Sequence, residues 1–263
     1  MLGKLIKYDF KSINKVLIVF YILSIFFGLL TRIFLSIEDS FICEIIGKIC
    51  SGTAIAMMVN ILINNLIGVW RRFTCNLYGD ESYLTHTLPV TKNELYISKF
   101  ITAFGSFFLS FIVIVLTLFI AYYSKENLDV VKNLILPVAK IYDSSVLVIL
   151  LWFIFICFLE ILNIVQAGYF GLITGHMKNS NKMGWSVIFG FIGYMVLQIL
   201  LIIILFIFAL FNKDIMNLFY TSEIINIETI KLLILYGIIG YTTTLIIAFI
   251  TSLKLFNKGV NVD

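Results

Sequence analysis

Residues 184–211, GWSVIFGFIGYMVLQILLIIILFIFALF, contain no Lys, Arg, Asp, Glu or His. A bilayer core is crossed by about 20 consecutive, mostly apolar residues in a helix, so this stretch reads as a membrane span with residues to spare. Working outward, five further runs qualify, at roughly 16–36, 50–70, 97–122, 144–174 and 230–253. With 61% hydrophobic residues, 13% charged residues and two prolines in 263, no remaining segment is long enough to fold outside the bilayer. The expected fold class is all-α: one polytopic transmembrane domain over residues 1–263 with six spans. An even number of spans brings both ends of the chain to the same side.

The side follows from the basic residues, because loops rich in Lys and Arg resist translocation. Lys4, Lys7, Lys11 and Lys15, then Arg71, Arg72, Lys92 and Lys99, then Lys178 and Lys182, then Lys254 and Lys258 fall on one face. Arg32, Lys48, Lys125, Lys132, Lys140, Lys213 and Lys231 fall on the other. The bias of twelve to seven predicts cytoplasmic termini. The net charge of +4 sits at membrane edges and not in a soluble patch, which argues against a nucleic-acid partner. The first apolar run is too long, and lacks the small-residue cleavage site, for a secretory signal, so it is expected to stay as a span.

Residues 1–15, MLGKLIKYDFKSINK, put the four lysines on one helical face, with Leu2, Leu5, Ile6, Phe10 and Ile13 opposite and Asp9 interrupting the apolar side. This reads as a basic amphipathic helix in the membrane interface, after which the chain turns into its first span. A flexible basic flank that only orients that span is the other reading. The outer connections are expected at 37–49, 123–143 and 212–229, the last of them, with Ile215, Met216, Leu218, Phe219 and Tyr220, folding back on the membrane surface.

Between the second and third spans lies a long polar stretch, Tyr78 to Lys99, YGDESYLTHTLPVTKNELYISK. Asp80 is expected to cap a short helix that starts at Glu81, and Pro89 to end it, because proline lacks the donor a continuing helix needs. Thr91 and Glu94 form a T-x-x-E capping box for the helix that becomes the third span. The segment Asp80, Glu81, Ser82, Tyr83, Leu84, Thr85, His86, Thr87, Leu88, Pro89 is therefore a rigid knob presenting Tyr83, Leu84, His86 and Leu88. Such a knob either receives a partner or tucks under the bundle as an interfacial helix.

Inside the spans, Glu160 lies about 21 Å from the cytoplasmic end at 1.5 Å per residue, close to mid-membrane. A carboxylate there costs about 2.5–3.5 kcal/mol on insertion scales and is expected to face other helices or water. Asn163, Ala167, Gly171 and Thr174 continue its face, and Asn60 and Asn64 form a similar pair in the second span. These residues either line a translocation path or serve interhelical hydrogen bonding. Gly240, Thr244, Ala248 and Ser252 make a small-residue ladder for close helix approach, within the chain or between protomers.

Several chemistries find no residues to carry them. There is no G-x-x-x-x-G-K-[ST] phosphate loop, no H-E-x-x-H and no G-x-S-x-G, so catalysis in this chain is not expected. The two histidines, His86 and His176, have no ligand-spaced neighbours, so no metal site is expected. Cys43, Cys50, Cys75 and Cys157 form no disulfide framework. Cys43 and Cys50 both lie near the outer end of the second span, where pairing is conceivable and free thiols are the expectation.

MLGKLIKYDFK at residues 1–11, LYGDESYLTHTLPVTKNELYISK at 77–99 and YFGLITGHMKNSNKMGWSVIFG at 169–190 together resemble the six-span, type-2 permeases of bacterial ATP-binding-cassette (ABC) transporters. That group includes exporters and self-protection systems for peptide antibiotics. The resemblance covers nearly the whole chain and is most specific in the second of these segments. It implies a half-transporter in the bacterial plasma membrane, paired with an identical or sister permease and driven by a dimer of separate ATPase subunits that hold ATP and Mg²⁺. Residues 2–13 would be its elbow helix and Asp80 through Pro89 its coupling helix. Its cargo would be amphipathic or hydrophobic, taken from among the membrane lipids. Asn60, Asn64 and Glu160 match no motif of the family. A membrane scaffold or a transporter without an ATPase is the alternative reading, and an intramembrane enzyme or sensor a more distant one.

Overall fold

The structure is a computed structural model and describes residues 1–37, 40–220 and 227–259. Among the described residues the chain is helical: α1 (Leu2–Leu35), α2 (Phe41–Leu77), α3 (Ser82–Thr87), α4 (Lys92–Tyr122), α5 (Lys125–Ile141), α6 (Val146–His176), α7 (Lys182–Phe211), α8 (Lys213–Tyr220) and α9 (Ile227–Lys258). Six of these, α1, α2, α4, α6, α7 and α9, are long and apolar enough to cross a membrane, the character of a multi-pass membrane protein. They coincide with the six apolar runs but extend past them. α2 has 37 residues, about 55 Å at 1.5 Å per residue, against a hydrocarbon core of about 30 Å.

Three connections differ from expectation. Most of 37–49 belongs to α2, whose start is capped by Ser40, the hydroxyl of which accepts from the Cys43 amide. Residues 123–143 are mostly helix, as α5. In 212–229, α8 is helical and Ile215 is buried, whereas residues 221–226 and the side chains of Leu218, Phe219 and Tyr220 lie outside what is described. The chain divides into two compact units, Met1–Leu128 and Asp129–Asp263.

In the first unit α1 lies against both α2 and α4. Residues 2–13 are helical with Lys4, Lys7, Lys11 and Lys15 exposed and Ile13 buried, as the amphipathic pattern requires. The expected turn before the first span is missing, since α1 continues unbroken to Leu35. A buried polar seam runs along the unit. The Tyr21 hydroxyl and Ser110 Oγ are 2.8 Å apart, the Asn65 amide donates to Ser110 Oγ (2.9 Å), and Ser106 Oγ donates to Asn65 Oδ1 (3.0 Å). Ser24 and Thr117 pair at 2.9 Å. In hydrocarbon such contacts replace the hydrophobic driving force between helices, each contributing about 0.6 kcal/mol on average.

In the second unit α6 is the common neighbour of α7 and α9. Its approach to α7 is set by glycine. A Cβ on Gly171 would sit 2.4 Å from Ser186 O and Gly190 N, and one on Gly175 would sit 2.2 Å from Ser186 Oγ. The stripe of small residues through Ala167, Gly171 and Thr174 is therefore a packing surface at Gly171 and at Ala167, which is buried with Leu197 and Ala248. The α9 ladder is used inside the chain as well: Thr244, Ala248 and Ser252 are buried, and a Cβ on Gly240 would meet Leu201 Cδ2 at 2.9 Å. All four cysteines are free thiols.

Candidate functional site

The segment between α2 and α4 is built by local sequence. Tyr78 and Gly79 both donate backbone N–H to Thr74 O (2.9 and 3.0 Å), and Glu81 N–H donates to Cys75 O at 3.3 Å, so the chain doubles back onto the last turn of α2. The Tyr78 ring is buried against Phe73, and that burial pushes its phenol up from its ordinary value, keeping it neutral. α3 then runs for six residues and stops at Thr87, because Leu88, preceding Pro89, is held extended (φ −65°, ψ 143°). The capping box at α4 is present as read. Thr91 N–H donates to Glu94 Oε2 (2.8 Å) and Glu94 N–H to Thr91 Oγ1 (3.2 Å).

One local expectation is corrected. The residue at the α3 cap position is Glu81, not Asp80, and no side chain caps the helix. The Glu81 carboxylate is drawn elsewhere: Arg72 Nη1 donates to its Oε2 at 2.9 Å and the Asn76 amide also donates to Oε2. A charge-assisted bond to a guanidinium outcompetes capping of a helix less than two turns long.

These contacts are part of a closed ring. Arg72 Nε donates to Asp9 Oδ1 (2.8 Å), Lys99 Nζ donates to Asp9 Oδ2 (2.6 Å), and Lys99 Nζ also donates to Asn76 Oδ1 (2.6 Å). Asp9, Arg72, Glu81, Asn76 and Lys99 thereby join α1, α2, the start of α3 and α4, with two positive charges balancing two negative ones. The ring is graded in burial. The Lys99 and Asp9 side chains are 5% and 4% exposed, Arg72 23% and Glu81 48%. Removing one partner of a buried pair typically costs about 3–5 kcal/mol, whereas an exposed pair contributes about 0.2–1 kcal/mol. The ring is thus firm at the bundle and weak at α3.

On the knob itself Ser82 and Thr85 are buried, while Tyr83 and Leu84 are 72% and 74% exposed. Asp80, Thr87, Leu88 and Pro89 are exposed too, and His86, half-buried, has Nε2 3.2 Å from Leu77 O. α3 consequently rests on α2 through one face and offers two large side chains on the other. Sequence reasoning found the knob and missed the ring behind it. Its one signal was Asp9, the acid on the apolar face of residues 1–15.

The remaining candidates fall in separate places. Asn60 and Asn64, in the first unit, are half-buried and each donates to its own helix, to Ala56 O and Asn60 O. Their neighbour Asn65, one position round the helix, makes the interhelical bonds instead. In the second unit Glu160 Oε1 accepts from the Tyr194 hydroxyl (2.7 Å) and the Gln198 amide (3.2 Å), joining α6 to α7. The Asn163 amide donates to Leu159 O and to Tyr241 O, both at 3.0 Å, joining α6 to α9. No group of three or more His, Cys, Asp or Glu side chains able to hold a metal occurs among the described residues.

Comparisons with protein-family models, with curated proteins and with solved structures each returned no match.

Proposed function

We propose that this chain is the permease subunit of an ABC-type exporter of the bacterial plasma membrane, with both termini cytoplasmic, and that α3 is the element on which a separately encoded ATPase docks. ATP and Mg²⁺ belong to the ATPase dimer, and a second permease, identical or a sister chain, completes the translocation path. The observation that carries this reading is the knob: Tyr83 and Leu84 stand out from a helix whose other face is anchored to α2 and the charged ring. Large exposed side chains on an anchored base, outside the apolar runs, suit a protein contact.

The ring supports a mechanical role. A push on α3 is borne by its packing on α2, and Arg72 of α2 is bound to Asp9 on α1, which shares Lys99 with α4. Closure of an ATPase dimer would bias the bundle between two arrangements through that path. Six apolar helices with few polar side chains suit an amphipathic or hydrophobic cargo such as a peptide antibiotic, a lipid or a drug-like molecule.

The test is purification of tagged protein from its native membrane in mild detergent, with assay of Mg²⁺-dependent ATP hydrolysis in the eluate. Wild-type chain should bring down a stoichiometric ATPase. Leu84→Asp should lose it while keeping membrane insertion and thermal stability, since Leu84 makes little contact with its own chain. Equal recovery of ATPase activity with Leu84→Asp would overturn the docking role.

A further inference from the structure

The helix α5, between the spans α4 and α6, has no role in the reading above. Its sequence, KENLDVVKNLILPVAKI, sorts at 100° per residue into an apolar and a charged side, with Asn127 on the first and Leu136 on the second as exceptions. Leu128, Val131, Leu134, Ile135 and Val138 fall on one side, and Lys125, Asp129, Lys132 and Lys140 on the other. The helix is locally specified at both ends. Ser124 Oγ accepts from the Asn127 amide at the start, and at the finish Ser144 N–H donates to Ala139 O across Asp143, which adopts a left-handed φ of 46°. Yet the apolar side is largely uncovered: Leu128, Val131 and Leu134 are exposed, Leu134 at 73%.

What covers that face is constrained by the ends. Two residues link α5 to the end of α4 and four link it to the start of α6, so each end lies within about 7–14 Å of a span terminus. Both termini carry aromatic side chains of the kind that sit at headgroup level. Tyr123 packs on Phe119, with Arg32 5.7 Å over its ring, and Tyr142 packs edge-to-face on Trp152 at 4.9 Å. At 17 residues α5 is about 25 Å long, shorter than the hydrocarbon core and too charged to cross it. The exposed apolar side chains are aliphatic throughout, with none of the Trp, Tyr or Arg anchors that dominate protein interfaces. Lysines on the opposite side suit phosphate headgroups.

We infer that α5 is a membrane-surface helix, lying in the headgroup boundary of the bilayer that α4 and α6 cross, with Leu128, Val131 and Leu134 in the acyl region and Lys125, Lys132 and Lys140 among the phosphates. This rests on α4 and α6 being spans and not on the ATPase partnership.

The experiment uses full-length chain with its four cysteines replaced by alanine and single cysteines at Leu134→Cys, Val131→Cys, Lys132→Cys or Ile112→Cys. Each is labelled with nitrobenzoxadiazole and reconstituted in phosphatidylcholine–phosphatidylglycerol vesicles. Quenching by lipids spin-labelled either near the headgroup or near the end of the acyl chain is compared with quenching by aqueous iodide. Labels at 134 and 131 should be quenched several-fold more by the headgroup-labelled lipid than by iodide, with the order reversed at 132. Ile112, exposed in the middle of α4, reports whether α4 spans, and should be quenched by the lipid labelled near its acyl-chain end and not by iodide. Iodide quenching at 134 and 131 equal to that at 132, with 112 quenched by lipid, would overturn the inference while leaving the spans intact. Shielding of 134 and 131 from both quenchers would overturn it in favour of a protein cover. Iodide quenching at 112 would remove the span reading on which it stands.

Discussion

Removing the carboxylate of Asp9 tests the ring at its most buried point. In Asp9→Ala, Lys99 loses its carboxylate partner, and its ammonium remains in a site where 5% of the side chain is exposed. Arg72 loses less, because Glu81 still accepts from it and it reaches solvent. The cost is therefore set by Lys99, and should fall in the range of about 3–5 kcal/mol for a buried charge that loses its carboxylate partner. Adding Lys99→Met removes the buried charge and fills the volume of the lysine stem, so the double variant should recover a large part of that loss. A coupling of about 2–3 kcal/mol is expected, at the upper end for residues in one network. Glu81→Gln, at the exposed end, should cost no more than about 1 kcal/mol. The assay is reversible unfolding of purified chain in mixed micelles titrated with a denaturing detergent, followed by helical circular dichroism. If Asp9→Ala were as stable as wild type, or if the two substitutions destabilised additively, the ring would not be the structural link that its distances describe.

Two further outcomes follow from the second unit. Gly171→Val should separate α6 from α7 and sharply lower yield and stability, because backbone atoms of Ser186 and Gly190 lie where the new Cβ must go; wild-type unfolding would mean that the helices are not in contact there. Glu160→Gln retains an acceptor oxygen for Tyr194 and Gln198, so assembly should persist with stability within about 1 kcal/mol of wild type. A changed response of ATP hydrolysis to cargo in that variant would put the carboxylate in the transport path, whereas unchanged transport would leave it as a packing residue.

What could be read from the sequence was what is local. The spans were legible because long uncharged runs admit few other structures, and the Thr91–Glu94 box because both partners lie within one helical turn. The cap of α3 was misread for the opposite reason: Glu81 is claimed by Arg72, nine residues back on a different helix. Asp9 looked like a blemish on an apolar face because its partners are 63 and 90 residues away, and Arg72 and Lys99 read as topology-setting charges. Asn60 and Asn64 drew notice by their spacing, yet Asn65, turned 100° further round α2, faces α4. α5 was passed over as a connection because its apolar residues are periodic and not continuous, so a search for spans does not register it.

The central claim is that α3 meets an ATPase, and a photocrosslinking side chain in place of Leu84 tests it in the native membrane without purification of a complex. Irradiation followed by mass spectrometry should identify one adduct partner, a chain carrying the phosphate-binding loop that this sequence lacks, with no such adduct from the same group at Ile112. Adducts to lipid alone at position 84 would contradict the account and make the knob an interfacial helix of the bundle.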